Sequence, residues 1–137
     1  MMTAASGDTD MQVEVPGAHV GVIGGGQLGR MATLAAHRLG VRVTVLDHTP
    51  GCPAAAVGAE QVVEAFDDAE AVTALASRVD VLTYEIELAD PDLLDSVGET
   101  PVHPSPETLR LIQDKHTQNS HLRASGIETP RWVSVQA

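Results

Sequence analysis

Three glycines, Gly24, Gly25 and Gly26, stand between a short apolar run, His19 to Ile23, and an amphipathic stretch that opens at Gln27 and carries a fourth, Gly29. Glycine has no Cβ to block close backbone approach. A helix starting there also points unpaired N–H groups and a partial positive charge at whatever anion lies before it. The expected chemistry is a phosphate loop that captures a nucleotide or a phosphorylated small molecule. Gly24, Gly26 and Gly29 also fit the dinucleotide fingerprint, and Asp47 follows Gly29 by 18 residues at the end of a second apolar run, where an NAD-binding module places its ribose-binding acid. Many sheets with this fingerprint bind no dinucleotide, and Asp47 then serves as a turn cap. The loop alone leaves both open.

A second set of groups is acidic. Glu85 and Glu87 follow the apolar run Val79 to Tyr84, and alternation aims both to one side with Ile86 on the other. Carboxylates at such a position accept hydrogen bonds from ribose hydroxyls or a substrate amine; otherwise they are a solvated strand end. No His or further acid stands at ligand spacing around them, so no metal site built by the protein is expected. The six histidines include no pair at the helical spacing of zinc ligands. Neither a Gly-x-Ser-x-Gly elbow nor a complete lysine-bearing P-loop is present, which disfavours serine hydrolase and P-loop ATPase readings. Lys115 is the only lysine, and its ammonium could reach a nucleotide phosphate or be a plain surface charge.

The elements that must hold these groups alternate. A strand at 19–23 leads through the glycines into a helix whose Leu28, Met31, Ala32, Ala35 and Leu39 share one face, stopped by Gly40. A β-branched strand over 41–46 ends at Asp47 and turns at Pro50-Gly51-Cys52-Pro53. A weaker strand at 60–64 precedes Asp67-Asp68-Ala69-Glu70, which resembles a capping box for a helix whose Val72, Leu75, Ala76 and Val79 recur at helical spacing. A fourth strand over 79–84, a short helix at 91–97 and an extended piece at 101–103 come next. Ser105-Pro106-Glu107 then starts a helix expected to run to about Ala124, with Gly126 as its end. Such alternation predicts an α/β doubly wound parallel sheet, in which the first and fourth strands are neighbours at the switch point. The glycine loop and Glu85 are then expected on one crevice.

Composition bounds the partners. The 137 residues are 43% apolar and only 2% aromatic, enough for one domain whose core is Val, Leu, Ile and Ala. Nineteen acids against eight bases give a net charge of −11, which repels nucleic acid and anionic lipid. Acids spread over the whole chain suggest a halophilic surface that needs salt to screen itself. The single cysteine, Cys52, permits no internal disulfide and suits a reducing cytoplasm, with Cys52 a small loop residue. Residues 1–17 read as a disordered lead, neither a targeting signal nor an anchor, and no run is long enough to span a membrane.

Three segments in order, Gly24-Gly25-Gly26-Gln27-Leu28-Gly29-Arg30-Met31, Asp80-Val81-Leu82-Thr83-Tyr84-Glu85-Ile86-Glu87 and His103-Pro104-Ser105-Pro106-Glu107-Thr108-Leu109-Arg110-Leu111-Ile112-Gln113-Asp114-Lys115, resemble the amino-terminal part of 5-(carboxyamino)imidazole ribonucleotide synthase. That family is an ATP-grasp ligase of purine biosynthesis that forms a C–N bond, and it is fused into fungal phosphoribosylaminoimidazole carboxylase. The resemblance implies a Rossmann-like pre-ATP-grasp domain over 18–125 and the start of a truncated ATP-grasp domain over 126–137. It implies that ATP and bicarbonate form carboxyphosphate with Mg2+, and that aminoimidazole ribonucleotide is then carboxylated on its amine. By motif match Gln27, Leu28 and Glu85, with Glu87 beside them, contact the ribonucleotide, and Lys115 contacts ATP. Asp47 becomes a turn residue, no catalytic residue is singled out, and the Mg2+ ligands belong to the carboxy-terminal part missing here. Full-length members are similar in being homodimers, and the chain reads as a fragment inactive alone. Two alternatives stay open: an NAD(P)-binding Rossmann module of an oxidoreductase, and a non-catalytic nucleotide-sensing domain.

Overall fold

A computed structural model of the protein describes residues 16–133 and 135; the expected lead over 1–17 lies outside them except for Pro16 and Gly17. The chain runs β1 (His19–Ile23), α1 (Gln27–Arg38), β2 (Arg42–Leu46), β3 (Glu60–Val62), α2 (Ala69–Ala76), β4 (Val81–Tyr84), α3 (Pro91–Asp95), α4 (Pro106–Gln113) and α5 (Lys115–Ala124). Four parallel strands lie in the order β3-β2-β1-β4. The chain winds one way from β1 through β3 and then crosses to the far side of β1, so Ile23 and Tyr84 end side by side. The expected extended piece at 101–103 is a single parallel bridge, Leu82 to Val102.

Alternation along the strands divides the core in two. Ile23, Leu46 and Leu82 face Val72, Leu75, Leu94 and Leu109 of α2, α3 and α4. Val22, Val43 and Val45 face the other way, toward Cys52, Ala54 and Ala59. Each fully buried aliphatic side chain contributes about 1.5–3 kcal/mol of transfer free energy, so these two layers carry most of the fold, with Phe66 and Tyr84 packed at the margin of the first.

Local chemistry moved several boundaries. β4 begins at Val81 and β3 ends at Val62. The cap of α2 is Asp68, whose Oδ1 accepts from Ala71 N at 2.8 Å, and Glu70 falls in the first turn where it opposes the dipole. The long helix expected from 106 to 124 is two helices. Asp114 takes an extended conformation, φ −108° and ψ 118°, and caps α5 through Thr117 N at 2.7 Å. That bond holds the Asp114 carboxyl below the usual carboxylate range.

The apolar stripe of α1 is not what packs on the sheet. The buried positions are Gly29 and Thr33, and Thr33 Oγ1 donates back to Gly29 O at 2.7 Å. A small residue lets the start of the helix lie close to the turn after β1: a Cβ at Gly29 would stand 3.1 Å from Gly24 O. Leu28, Met31 and Leu39 are 62%, 58% and 63% exposed. Leu28, Ala32 and Ala36 border an open groove of about 350 Å³ whose floor includes Val20, Val22 and Thr83.

Candidate functional site

The site forms where β1 and β4 end. Gly24 leaves β1 at φ +101°, a conformation that L side chains rarely adopt, and its N–H donates to Leu46 O at 2.8 Å. The next N–H groups then turn toward side chains rather than strands. Gly25 N donates to Asp47 Oδ2 at 2.9 Å, Gly26 N to Glu85 Oε1 at 2.6 Å and Gly29 N to Glu85 Oε2 at 3.0 Å. One half-buried carboxylate thus bridges the first turn of α1, and a second holds the loop from the β2 side.

Tight backbone approach explains the glycines. A Cβ at Gly24 would lie 2.6 Å from Glu85 Cγ, and one at Gly26 would lie 2.8 Å from Glu85 Oε1. Gly25 is roofed by Cys52 Sγ, a buried thiol whose part is to fill the space under the loop. The loop amides expected to meet a phosphate are bonded to the chain's own carboxylates. A carboxylate has about four acceptor sites, so Glu85 keeps roughly two for a ligand.

Glu85 and the glycine loop share one crevice, as the strand order requires. Gln27 and Leu28 are exposed in the first turn of α1, where N–H groups have no intrahelical acceptor. Glu87 departs from the alternation argument. The strand ends at Tyr84, so Glu87 sits in an exposed loop, and only Glu85 bonds to the glycines. Asp47 accepts from Gly25 N and, through Oδ1, from Thr49 N at 2.8 Å, so both of its carboxylate oxygens hold backbone at this turn. Lys115 opens α5, exposed, with Nζ 3.1 Å from Gln118 Oε1 and no bond to the loop or to Glu85. Among the described residues no cluster of three or more His, Cys, Asp or Glu could hold a metal.

Other contacts lay beyond sequence reasoning. Arg110 is clamped between Asp92 and Asp95, which fastens α4 to α3 and pushes its guanidinium pKa up, Asp92 first. Tyr84 lines the groove beside Glu85, its phenol pushed up by burial. Trp132, in the segment read as the start of the next domain, packs back on α5, 4.7 Å from the His116 ring and 5.6 Å from the Arg123 guanidinium. Such pairings between distant residues leave no periodic signal in a single sequence.

Known proteins share this sequence and fold. An N5-carboxyaminoimidazole ribonucleotide synthase of Brucella melitensis is 46% identical over 121 residues, which is 88% of this chain and 33% of the relative. A phosphoribosylaminoimidazole carboxylase of Ogataea methanolica is 42% identical over 123 residues, 86% of this chain and 23% of the relative. The crystal structure of an N5-carboxyaminoimidazole synthase from Aspergillus clavatus, in complex with ADP and 5-aminoimidazole ribonucleotide, superimposes with a TM-score of 0.76 at 43% identity, over 82% of this chain and 30% of that one. The chain therefore spans about a quarter to a third of the length of these relatives. No described helix is long and apolar enough to cross a membrane. The profile of the ribonucleotide synthetase preATP-grasp domain matches residues 18–113, a span that takes in the sheet, the glycine turn and the carboxylate closing β4, and the chain belongs to that family.

Proposed function

We propose that this chain is the amino-terminal, substrate-binding portion of an N5-carboxyaminoimidazole ribonucleotide synthase, which carboxylates aminoimidazole ribonucleotide at the expense of ATP in purine biosynthesis. The observation that carries the proposal is the Glu85 carboxylate held across Gly26 N and Gly29 N. Its negative charge already answers the helix N-terminus, so a phosphate dianion gains little there. A ribose diol gains more, because hydroxyl donors can use the free lone pairs of a carboxylate fixed in place. In this reading Glu85 accepts from the sugar, Gln27 and Leu28 border it at the first turn of α1, and Glu87 stands at the rim.

The chemistry divides between this chain and the rest of the synthase. Bicarbonate attacks the terminal phosphorus of ATP to give carboxyphosphate and ADP, and the ribonucleotide amine then attacks the carboxyl carbon and releases phosphate. Residues here bind and orient the ribonucleotide; Lys115 contributes one cation to ATP. No residue of this chain is assigned to Mg2+, whose ligands would lie in the remaining two thirds. In the same proposal 18–125 is the pre-ATP-grasp domain, 126–137 enters the grasp domain, and the full enzyme works as a cytoplasmic homodimer without nucleic acid or membrane. In this reading the exposed Met31 and Leu39 of α1, away from the sugar, support pairing.

The experiment is calorimetric titration of the purified chain with aminoimidazole ribonucleotide and, separately, with NAD. Binding of the ribonucleotide that Glu85→Ala removes, with no heat from NAD, is expected. Joining residues 1–125 to the remainder of the Brucella enzyme should give phosphate release dependent on the ribonucleotide, while the chain alone gives none. Binding of NAD lost in Asp47→Ala would overturn the proposal.

A further inference from the structure

At the last turn of α4 the Gln113 side chain reaches out of its helix and donates through Nε2 to two backbone carbonyls of the β4–α3 loop, Glu87 O at 2.7 Å and Ala89 O at 3.0 Å. Both amide protons are used. That loop carries Glu85 and Glu87. It is anchored at its start by Glu85 N on Ile23 O at 3.0 Å and at its end by the buried Ala89 and the α3 cap Asp90. Between those anchors, among the described residues, the backbone makes one long bond of its own, Ala89 N to Ile86 O at 3.4 Å. Leu88 at the tip is 69% exposed, so little packing holds the turn. Its shape therefore depends on the amide fork from α4.

The fork is itself well placed. The Arg110 clamp on Asp92 and Asp95 fixes α4 against α3, and Leu109 is buried in the core. Directly after Gln113, Asp114 breaks the helix and caps α5, which Lys115 opens. Three successive residues thus join the Glu85 loop to the elbow that presents Lys115. The side-chain chemistry is specific: asparagine is one methylene short, and glutamate carries no N–H when ionised.

We propose that Gln113 is a positioning residue for the ribonucleotide, holding the β4–α3 loop so that Glu85 and Glu87 keep their places at the sugar. The inference rests on the functional reading above. Gln113→Glu preserves size and puts a carboxylate against two carbonyl oxygens, so it breaks the fork with little change in packing.

The test titrates aminoimidazole ribonucleotide into five chains: unsubstituted, Gln113→Glu, Gln113→Ala, Glu85→Gln and the double variant Gln113→Glu with Glu85→Gln, each checked by circular dichroism melting. Gln113→Glu should bind about tenfold more weakly, equivalent to ~1.4 kcal/mol, with its melt nearly unchanged. In the Glu85→Gln background the same substitution should add less than twofold, because Glu85 is the main contact through which the fork acts on the sugar and Glu87 stands only at the rim. A general structural role would weaken both backgrounds equally, and that result would overturn the inference, as would full affinity in Gln113→Glu. A loss that appears only alongside a collapsed melt in both Gln113→Glu and Gln113→Ala would overturn it too. No binding by the unsubstituted chain would remove the functional reading and this inference together.

Discussion

Replacing Glu85 tests how the glycine turn is held. Glu85→Ala removes two hydrogen bonds to an ionised acceptor, 2.6 Å to Gly26 N and 3.0 Å to Gly29 N, and strips a negative charge from the start of α1. A hydrogen bond to a charged group contributes about 1.5–3 kcal/mol. The site is only half-buried, so water takes over both amides in the variant, and the pair together falls to about 2 kcal/mol. For a chain of this length that is roughly 6 °C of melting temperature. Glu85→Gln keeps one acceptor oxygen and loses the charge, and about half that drop is expected. Circular dichroism melts at pH 7 and fixed salt measure both, and urea midpoints check them. If the two variants melt within a degree of the parent, the carboxylate does not brace the loop, and the argument that it answers the helix dipole fails with it.

Three further outcomes follow from the same contacts. Gly26→Ala places a Cβ 2.8 Å from Glu85 Oε1, so ribonucleotide affinity should fall at least tenfold by calorimetry while far-ultraviolet dichroism stays unchanged. His19 is buried, its Nε2 2.7 Å from Thr44 Oγ1, and burial, followed by the Arg42 charge, pushes its pKa down. The unfolded chain therefore takes up the proton first: this contribution is complete above about pH 6.5 and is lost as pH falls toward the lower folded value. Urea midpoints measured from pH 7.5 to 5 should decline less steeply in His19→Gln than in the parent. With a net charge of −11, the melting temperature should rise between 0.05 and about 1 M salt, where the Debye length shortens to ~3 Å; a salt-independent melt would remove the halophilic reading.

Much of the architecture is legible in the chain because its signals are local. Val43, Val45 and Leu46 form a strand by β-branching and burial, Gly40 stops a helix with φ +72°, and Ser105-Pro106 starts one through a serine cap. Boundaries that depend on a competing side chain were less legible. Asp114 could have stayed helical, and it broke the helix because its carboxylate found Thr117 N. The stripe on α1 misleads for a related reason. Helical periodicity tells which residues share a face, but the gap between helix and sheet selects the small side chains of Gly29 and Thr33 to fill it.

The residue pattern by itself determined the doubly wound topology, and with it that the turn after β1 and the acid after β4 would meet, since right-handed crossovers leave those strand ends adjacent. Only the folded chain decided what they do on meeting. Whether backbone amides stay open for a phosphate or are closed by Glu85 and Asp47 depends on distances of 2.6–3.0 Å between groups up to 59 residues apart. Such distances follow from how closely α1 lies on the sheet, a property of packed volumes that no local sequence signal encodes.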